Sequence, residues 1–467
     1  MRRRLAVAVG LAAAVAAASP LSAVAHGLSG RADLPLPSWL FGWGASVVLV
    51  VSFVALATLW PEPRLEQVRE RPLFRIPRFV DPLCGAIGIF VFIVVAYAGI
   101  AGSPEEAKNL APNFVYIQFW VGLVVVSVLF GDVFRSFNPW LATGRAVGWA
   151  AGRAGIASPV RREYPAWLGR WPAALTILGF GWLELAYPET PQTLGWICVA
   201  FALVQLAAMA VYGSERWADN GDGFSVYYNL YSRLSVFHRR DGVLHLRPPL
   251  SGLPSLPVVA GSVALLCVAI GITTFDGFLN GGIWASVGPD LNDAFGNLGL
   301  SPLHSDEVAK TLGLVVAVSF VTLIYRLGIR GMETVGRGHT RQELAARFVH
   351  TLVPIAFAYA MAHYFSLLAF YGQRIDYLIS DPLGNGSDIF GTAHNTIDLT
   401  YLSGRTIWYV QVVALVIGHV CGLMLAHDRA LVVYRRVRDA TRSQYWMLVV
   451  MVGFTSLGLW LLSAVRQ

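Results

Sequence analysis

Arginine falls in five groups of five along this chain, one in every second interval between long apolar runs. The groups span Arg64 to Arg78, Arg135 to Arg162, Arg216 to Arg247, Arg326 to Arg347 and Arg429 to Arg442. The alternate loops hold only Arg31, Lys108, Lys310, Arg374 and Arg405. Loops rich in Lys and Arg stay on the cytoplasmic side during insertion, so the alternation draws a membrane topology. Composition agrees: 467 residues that are 55% hydrophobic and 13% charged fall well below the roughly 25% charge of soluble domains. The net charge of +7 lies in juxtamembrane loops, where it meets anionic headgroups; it does not indicate a nucleic-acid partner.

Residues 1–25 read as a signal peptide. Arg2, Arg3 and Arg4 form the charged start, Leu5 to Ala18 a short apolar core, and Ala23-Val24-Ala25 the small residues before a cleavage site. Ten apolar segments follow within a single membrane domain, 26–467, near 37–60, 83–103, 114–134, 165–188, 191–213, 256–276, 309–327, 348–371, 406–428 and 444–464. Each is near the length that crosses about 30 Å of hydrocarbon. Backbone groups in lipid must be satisfied within the segment, so these are helices. The expected fold is all-α, a polytopic transmembrane bundle of about ten helices, with both mature termini outside the cytoplasm. Loops near 61–82, 135–164, 214–253, 328–347 and 429–443 are then cytoplasmic, and the long loops near 277–308 and 372–405 are outside. The aromatic content of those two predicts ordered caps rather than disorder.

Within the cytoplasmic loops, residues 134–157 look like an interfacial helix with aromatic anchors, and Asp132 and Arg135 are spaced to pair. Asp241-Gly242 between two apolar runs predicts a tight hairpin. Asp219-Asn220-Gly221-Asp222-Gly223 fails the calcium-loop template, with glycine at its third and fifth positions and Leu230 at the twelfth, and reads as a turn.

The chemistry-bearing residues are few. Cys84, Cys198, Cys267 and Cys421 each fall inside a different apolar segment, which suggests neither disulfides nor a zinc site. His363 and His419 lie within the eighth and ninth segments, away from the ends. An ionisable residue at such depth faces the bundle interior and is a functional candidate. Gly418 and Gly422 make a Gly-x-x-x-Gly ridge beside His419. If cleavage follows Ala25, His26 becomes the first residue, and its α-amine and imidazole form a chelate that favours copper. His304 and His394 lie in the outer loops, with Asp306 and Asp398 as local partners. Three readings stay open: hydrogen-bonded structural histidines, a transition-metal site of copper or zinc drawn from His26, His363, His419, His304 and His394, and bis-histidine haem ligation. The roughly 7 Å difference in depth between His363 and His419 argues against haem. Glu184 and Asp276, near outer helix ends, are further candidates, for each of which snorkelling or helix-end hydrogen bonding is the leading reading, and Gln118, Gln205 and Gln411 could add polar lining.

Several strings resemble one family. They are His26-Gly27 with Gly30-Arg31-Ala32-Asp33-Leu34-Pro35, Gly131-Asp132-Val133-Phe134-Arg135 with Phe137-Asn138-Pro139-Trp140, and Asp222-Gly223-Phe224-Ser225-Val226-Tyr227. Arg247-Pro248-Pro249-Leu250 and Gly418-His419 with Leu425-Ala426-His427-Asp428-Arg429-Ala430-Leu431 complete the set. Together they resemble bacterial multi-pass membrane proteins, mainly actinobacterial, labelled fenitrothion hydrolase. The resemblance implies a bacterial cytoplasmic-membrane enzyme acting on organophosphate triesters, small apolar substrates that partition into bilayers. Such hydrolysis needs an activated water and a Lewis acid, and a metal supplies both. A transporter or metal-handling permease without catalysis, and a haem-bearing electron carrier, are the competing expectations.

Overall fold

The computed structural model describes residues 38–464, apart from 67, 156–161, 336–337 and 435. The expected signal peptide and His26 lie outside the described residues. Helices stand at all ten expected positions: α1 (Ser38–Leu59), α2 (Val80–Ala101), α3 (Leu110–Phe130), α6 (Trp171–Leu185), α7 (Pro191–Tyr212), α10 (Ser262–Leu279), α12 (Pro302–Glu333), α14 (Leu352–Tyr371), α16 (Gly404–Val433) and α17 (Val437–Ala464). Between them lie α4 (Val133–Phe137), α5 (Pro139–Arg153), α8 (Ser214–Asn220), α9 (Gly223–Ser232), α11 (Gly282–Asn297), α13 (Arg341–Phe348) and α15 (Arg374–Ser380). Among the described residues seven helices are long and apolar enough to cross a membrane: α2, α3, α7, α10, α12, α16, and α13 with α14 taken together. The chain has the build of a membrane-embedded protein. α6 is shorter than expected; its 15 residues rise about 22 Å. It stops before Tyr187-Pro188, because the residue preceding a proline is pushed out of helical geometry.

Small residues set how closely the helices approach. A Cβ on Gly99 of α2 would lie 2.8 Å from Gly195 of α7. One on Gly418 of α16 would lie 2.7 Å from the Pro354 carbonyl of α14, and Gly422 meets the same helix at Ile355 and the Thr351 carbonyl. The Gly-x-x-x-Gly ridge expected beside His419 is therefore a helix contact. α10 is the central helix: most of it is buried, and it packs on α6, α12 and α14.

The face bearing the arginine groups, here the arginine face, is tied by side-chain knots. Asp428 of α16 accepts from the Trp60 indole at 3.0 Å and the Arg64 amide at 2.6 Å, while His427 contacts the Trp60 carbonyl at 3.0 Å. Arg429 pairs with Glu66. Asp132 caps α4 at the Arg135 amide and takes Asn229, whereas the Arg135 guanidinium goes to Glu215 and Asp219. The side-chain pairing expected of Asp132 and Arg135 is not the one made. The hairpin does form: β2 (Phe237–Arg240) and β3 (Val243–Leu246) turn at Asp241 (φ 51°) and Gly242 (φ 75°), the positive-φ pair of a type I′ turn. A third strand, β1 (Arg71–Arg75), pairs antiparallel with β3 from another loop. Its Pro72 is tolerated because β1 is an edge.

Residues 214–253 depart most from expectation. α9, inside what reads as a polar loop, is buried along almost its whole length and packs on α3, α6 and α14. Asp222, fully buried, holds its N-terminus by accepting from the Phe224 and Ser225 amides, the Asn138 amide, the Trp140 indole and the Ser225 hydroxyl. The Asn-Pro-Trp and Asp-Gly-Phe-Ser strings of the resemblance thus meet in one structural knot. On the opposite face α11 and α15 order the long loops. The stretch after α15 is folded around Ser380, which donates to Asp388 and accepts from the Phe390 and Thr392 amides.

Candidate functional site

α3 opens the interior of the bundle to polar chemistry because its middle, Phe114–Gly122, is π-helical. A π segment widens the helix and misaligns its carbonyls, and such segments recur at functional sites. The Phe119 carbonyl accepts from the Tyr228 hydroxyl of α9 at 2.6 Å. Gln118 and Asn113 donate to the Gly372 and Tyr371 carbonyls at the end of α14, at 2.8 and 3.0 Å. These two bonds satisfy terminal carbonyls that a helix leaves unpaired, and they fix α14 in rotation against α3.

α14 thereby presents His363 and Tyr364 inward. His363 Nε2 meets Asp276 Oδ2 at 2.9 Å, and the Asp276 side chain is 2% exposed. Asp276 comes from the last turn of α10, where Asn280 Nδ2 bonds its backbone carbonyl at 3.0 Å and approaches its carboxylate at 3.4 Å. The Tyr364 hydroxyl is set toward Asp276 and the Trp120 indole. From α6 comes Glu184, close enough to act electrostatically on Asp276; its Oε2 is buried without a hydrogen-bond partner. In the loop after α6, burial pushes the Glu189 carboxyl up to about 7, against the opposing effect of the Tyr116 hydroxyl that donates to it. Four helices, α3, α6, α10 and α14, thus bring Tyr116, Glu184, Asp276, His363 and Tyr364 into the end of the bundle away from the arginine face. The reading of Glu184 and Asp276 as helix-end side chains is corrected for Asp276, which is a buried partner of His363.

Beneath this cluster lies an aromatic floor. Trp120 stacks on Tyr227 of α9 at 4.8 Å between centroids and meets Phe180 of α6 at a tilt, at 4.7 Å. Tyr231 follows one turn further along α9, edge-on to Tyr227 at 4.9 Å. Trp120, Tyr227 and Tyr231 are all buried in the core.

The other sequence candidates are placed separately. His419 is fully buried; its Nδ1 donates to the Leu415 carbonyl of its own helix at 2.8 Å, and Nε2 has no partner. It borders a cavity of about 20 Å³ with Ile270, Val321, Tyr325, Met447 and Phe454, room for one water. His363 and His419 therefore serve different neighbourhoods. His304 is exposed at the start of α12, 2.6 Å from Ser301 Oγ, while Asp306 pairs with Lys310. His394 is exposed, and Asp398 takes the Thr400 amide and hydroxyl. The local pairs His304/Asp306 and His394/Asp398 are not formed. His350 is buried at the start of the α14 span, and Gln205 accepts from the Trp217 indole. The four cysteines are free thiols. Among the described residues no group of three or more His, Cys, Asp and Glu side chains stands close enough to hold a metal ion; a metal here would have His363 and Asp276 as two donors and would need a third.

The chain matches no family model, no curated protein and no solved structure.

Proposed function

We propose that this chain is an integral membrane hydrolase whose acid–base centre is the Asp276–His363 pair, set in the outer half of the bundle and acting on small apolar phosphate esters that enter from the bilayer. The observation that carries the reading is the buried 2.9 Å contact between carboxylate and imidazole from two different helices. Ionisable groups at membrane depth are costly and are retained where they work. A carboxylate against one imidazole nitrogen fixes the orientation of the ring and leaves the other nitrogen of His363 to take a proton from an attacking water. Tyr364 and Glu184 add a hydroxyl and a second carboxyl beside it. The resemblance to proteins labelled fenitrothion hydrolase supports the same substrate class. In a metal-bound alternative, copper or zinc held by His363 and Asp276, with His26 as a candidate third ligand, would polarise the phosphoryl group and acidify water in place of the imidazole base. His419, His304 and His394, each in other surroundings, are not proposed as ligands.

The permease alternative needs a polar route to the arginine face, whereas Trp120, Tyr227 and Tyr231 pack there as buried aromatic rings. The test is hydrolysis of a chromogenic neutral phosphotriester by purified protein, with metal content measured on the same samples. Asp276→Asn and His363→Ala should each lower turnover by about 10²-fold or more. Wild-type protein without turnover would end the reading, as would variants with unchanged turnover.

A further inference from the structure

We infer that the arginine face carries a built site for a phosphate-bearing anion, formed by Arg170, Arg233 and Arg247 where the end of α9 meets the start of α6. Arg170 and Arg247 are only 4% and 5% exposed. Arg233, at the C-terminus of α9, is close enough to Arg170 and to Arg247 for its charge to be repelled by each. Their protein partners are neutral. Arg247 donates to the Ser235 and Ser232 carbonyls, both at 2.9 Å. Arg233 Nη1 reaches the Gly252 carbonyl at 3.3 Å and Ser255 Oγ at 3.2 Å, and Arg170 Nη1 reaches Ser262 Oγ at 3.3 Å. The Nε atoms of Arg170 and Arg233 are buried without a partner.

The neighbouring carboxylates are engaged elsewhere. Glu215 and Asp219 pair with Arg135, Glu70 with Arg240 and Glu66 with Arg429. Asp132, which acts on Arg233 from a distance, takes Asn229 and the Arg135 amide. Carbonyl dipoles at the end of α9 compensate Arg247. Arg170 and Arg233 keep full charges in a site of low dielectric, where an unpaired ion is costly. Both remain cationic at neutral pH, as guanidinium does in proteins.

A phosphate group answers this arrangement. It brings negative charge and several acceptor oxygens that match the planar donors of guanidinium forks. Trp167 and Trp171, 74% and 46% exposed beside Arg170, are aromatic residues of the kind that lie at headgroup level. The source is therefore either the phosphodiester headgroup of an anionic phospholipid or free phosphate.

Full-length protein in detergent separates these sources by its melting temperature against dioctanoyl phosphatidylglycerol, dioctanoyl phosphatidylcholine and inorganic phosphate. Stabilisation by phosphatidylglycerol alone assigns the site to headgroups, and stabilisation by phosphate assigns it to the free ion. Arg233→Gln should weaken whichever response is seen by about tenfold in apparent affinity. Arg233→Lys, which keeps the charge and loses the fork, should fall between wild type and Gln, and serves if the Gln variant does not fold. No stabilisation by either anion, equal stabilisation by phosphatidylcholine, or an undiminished response in both variants would overturn the site.

Discussion

At the scale of single residues, the acidic side chains divide into those that hold the fold and those that lack a structural partner. Asp222 and Asp428 accept several bonds each and knit chain segments together. Glu184 accepts none at its buried oxygen. Glu189 lies between these cases, and its protonation makes a measurable difference. Burial raises its folded-state value from 4.5 to about 7. A carboxyl that binds its proton more tightly when folded stabilises the protein at low pH; the contribution is whole below about 4.5 and is lost as pH rises to about 7. Glu189→Gln should therefore flatten the dependence of melting temperature on pH across that interval. Parallel curves for wild type and variant would show that this carboxyl titrates alike in both states. Of the site residues, His363 was legible in the sequence because an imidazole at membrane depth is rare. Asp276 was legible only as a secondary candidate: its position near a helix end does not reveal that it is buried against His363 of another helix.

Among the elements, the long apolar helices were legible and α9 was not. Hydropathy finds segments that face lipid, and α9 faces only protein. Its Ser225, Tyr227, Tyr228 and Asn229 look like loop residues, yet Asp222 and the π-helical stretch of α3 give its polar groups partners inside the bundle. Non-helical or polar backbone survives at depth only with such internal satisfaction. β1 was missed for a related reason, since a five-residue edge strand with a proline carries almost no periodic signal. The dependence of α9 on its cap can be tested. Asp222→Ala leaves the Trp140 indole, the Asn138 amide and the two helix amides without their acceptor. Each buried donor left unpaired costs about 1–3 kcal/mol, so the variant should lose several °C in melting temperature at least. Limited proteolysis should then cut between 214 and 236, where the wild type resists. A variant as stable and as resistant as wild type would mean that α9 does not rely on this knot.

For the whole molecule, the distribution of arginine and the placement of the acidic cluster are two ends of one axis. The arginine groups gather at one face with the β-sheet, the Asp222 knot and the three buried arginines. Asp276, His363, Glu184 and Tyr116 gather at the other end, near α11 and α15. The side facing the cytoplasm is a property of insertion that follows from the positive-inside rule. Leu298 and Ile389, 79% and 61% exposed on the loops opposite the arginine face, and Glu163, exposed on the arginine face, give a direct measurement. A membrane-impermeant maleimide should label Leu298→Cys and Ile389→Cys in intact cells, and Glu163→Cys only after permeabilisation. The reverse pattern would place the arginine site outside and open the Asp276–His363 centre to the cytosol. A start held in the cytosol is not cut after Ala25, so the α-amine of the His26 chelate would not be freed. The hydrolytic reading would have to rest on the carboxylate–imidazole pair alone, with substrates arriving through the inner leaflet.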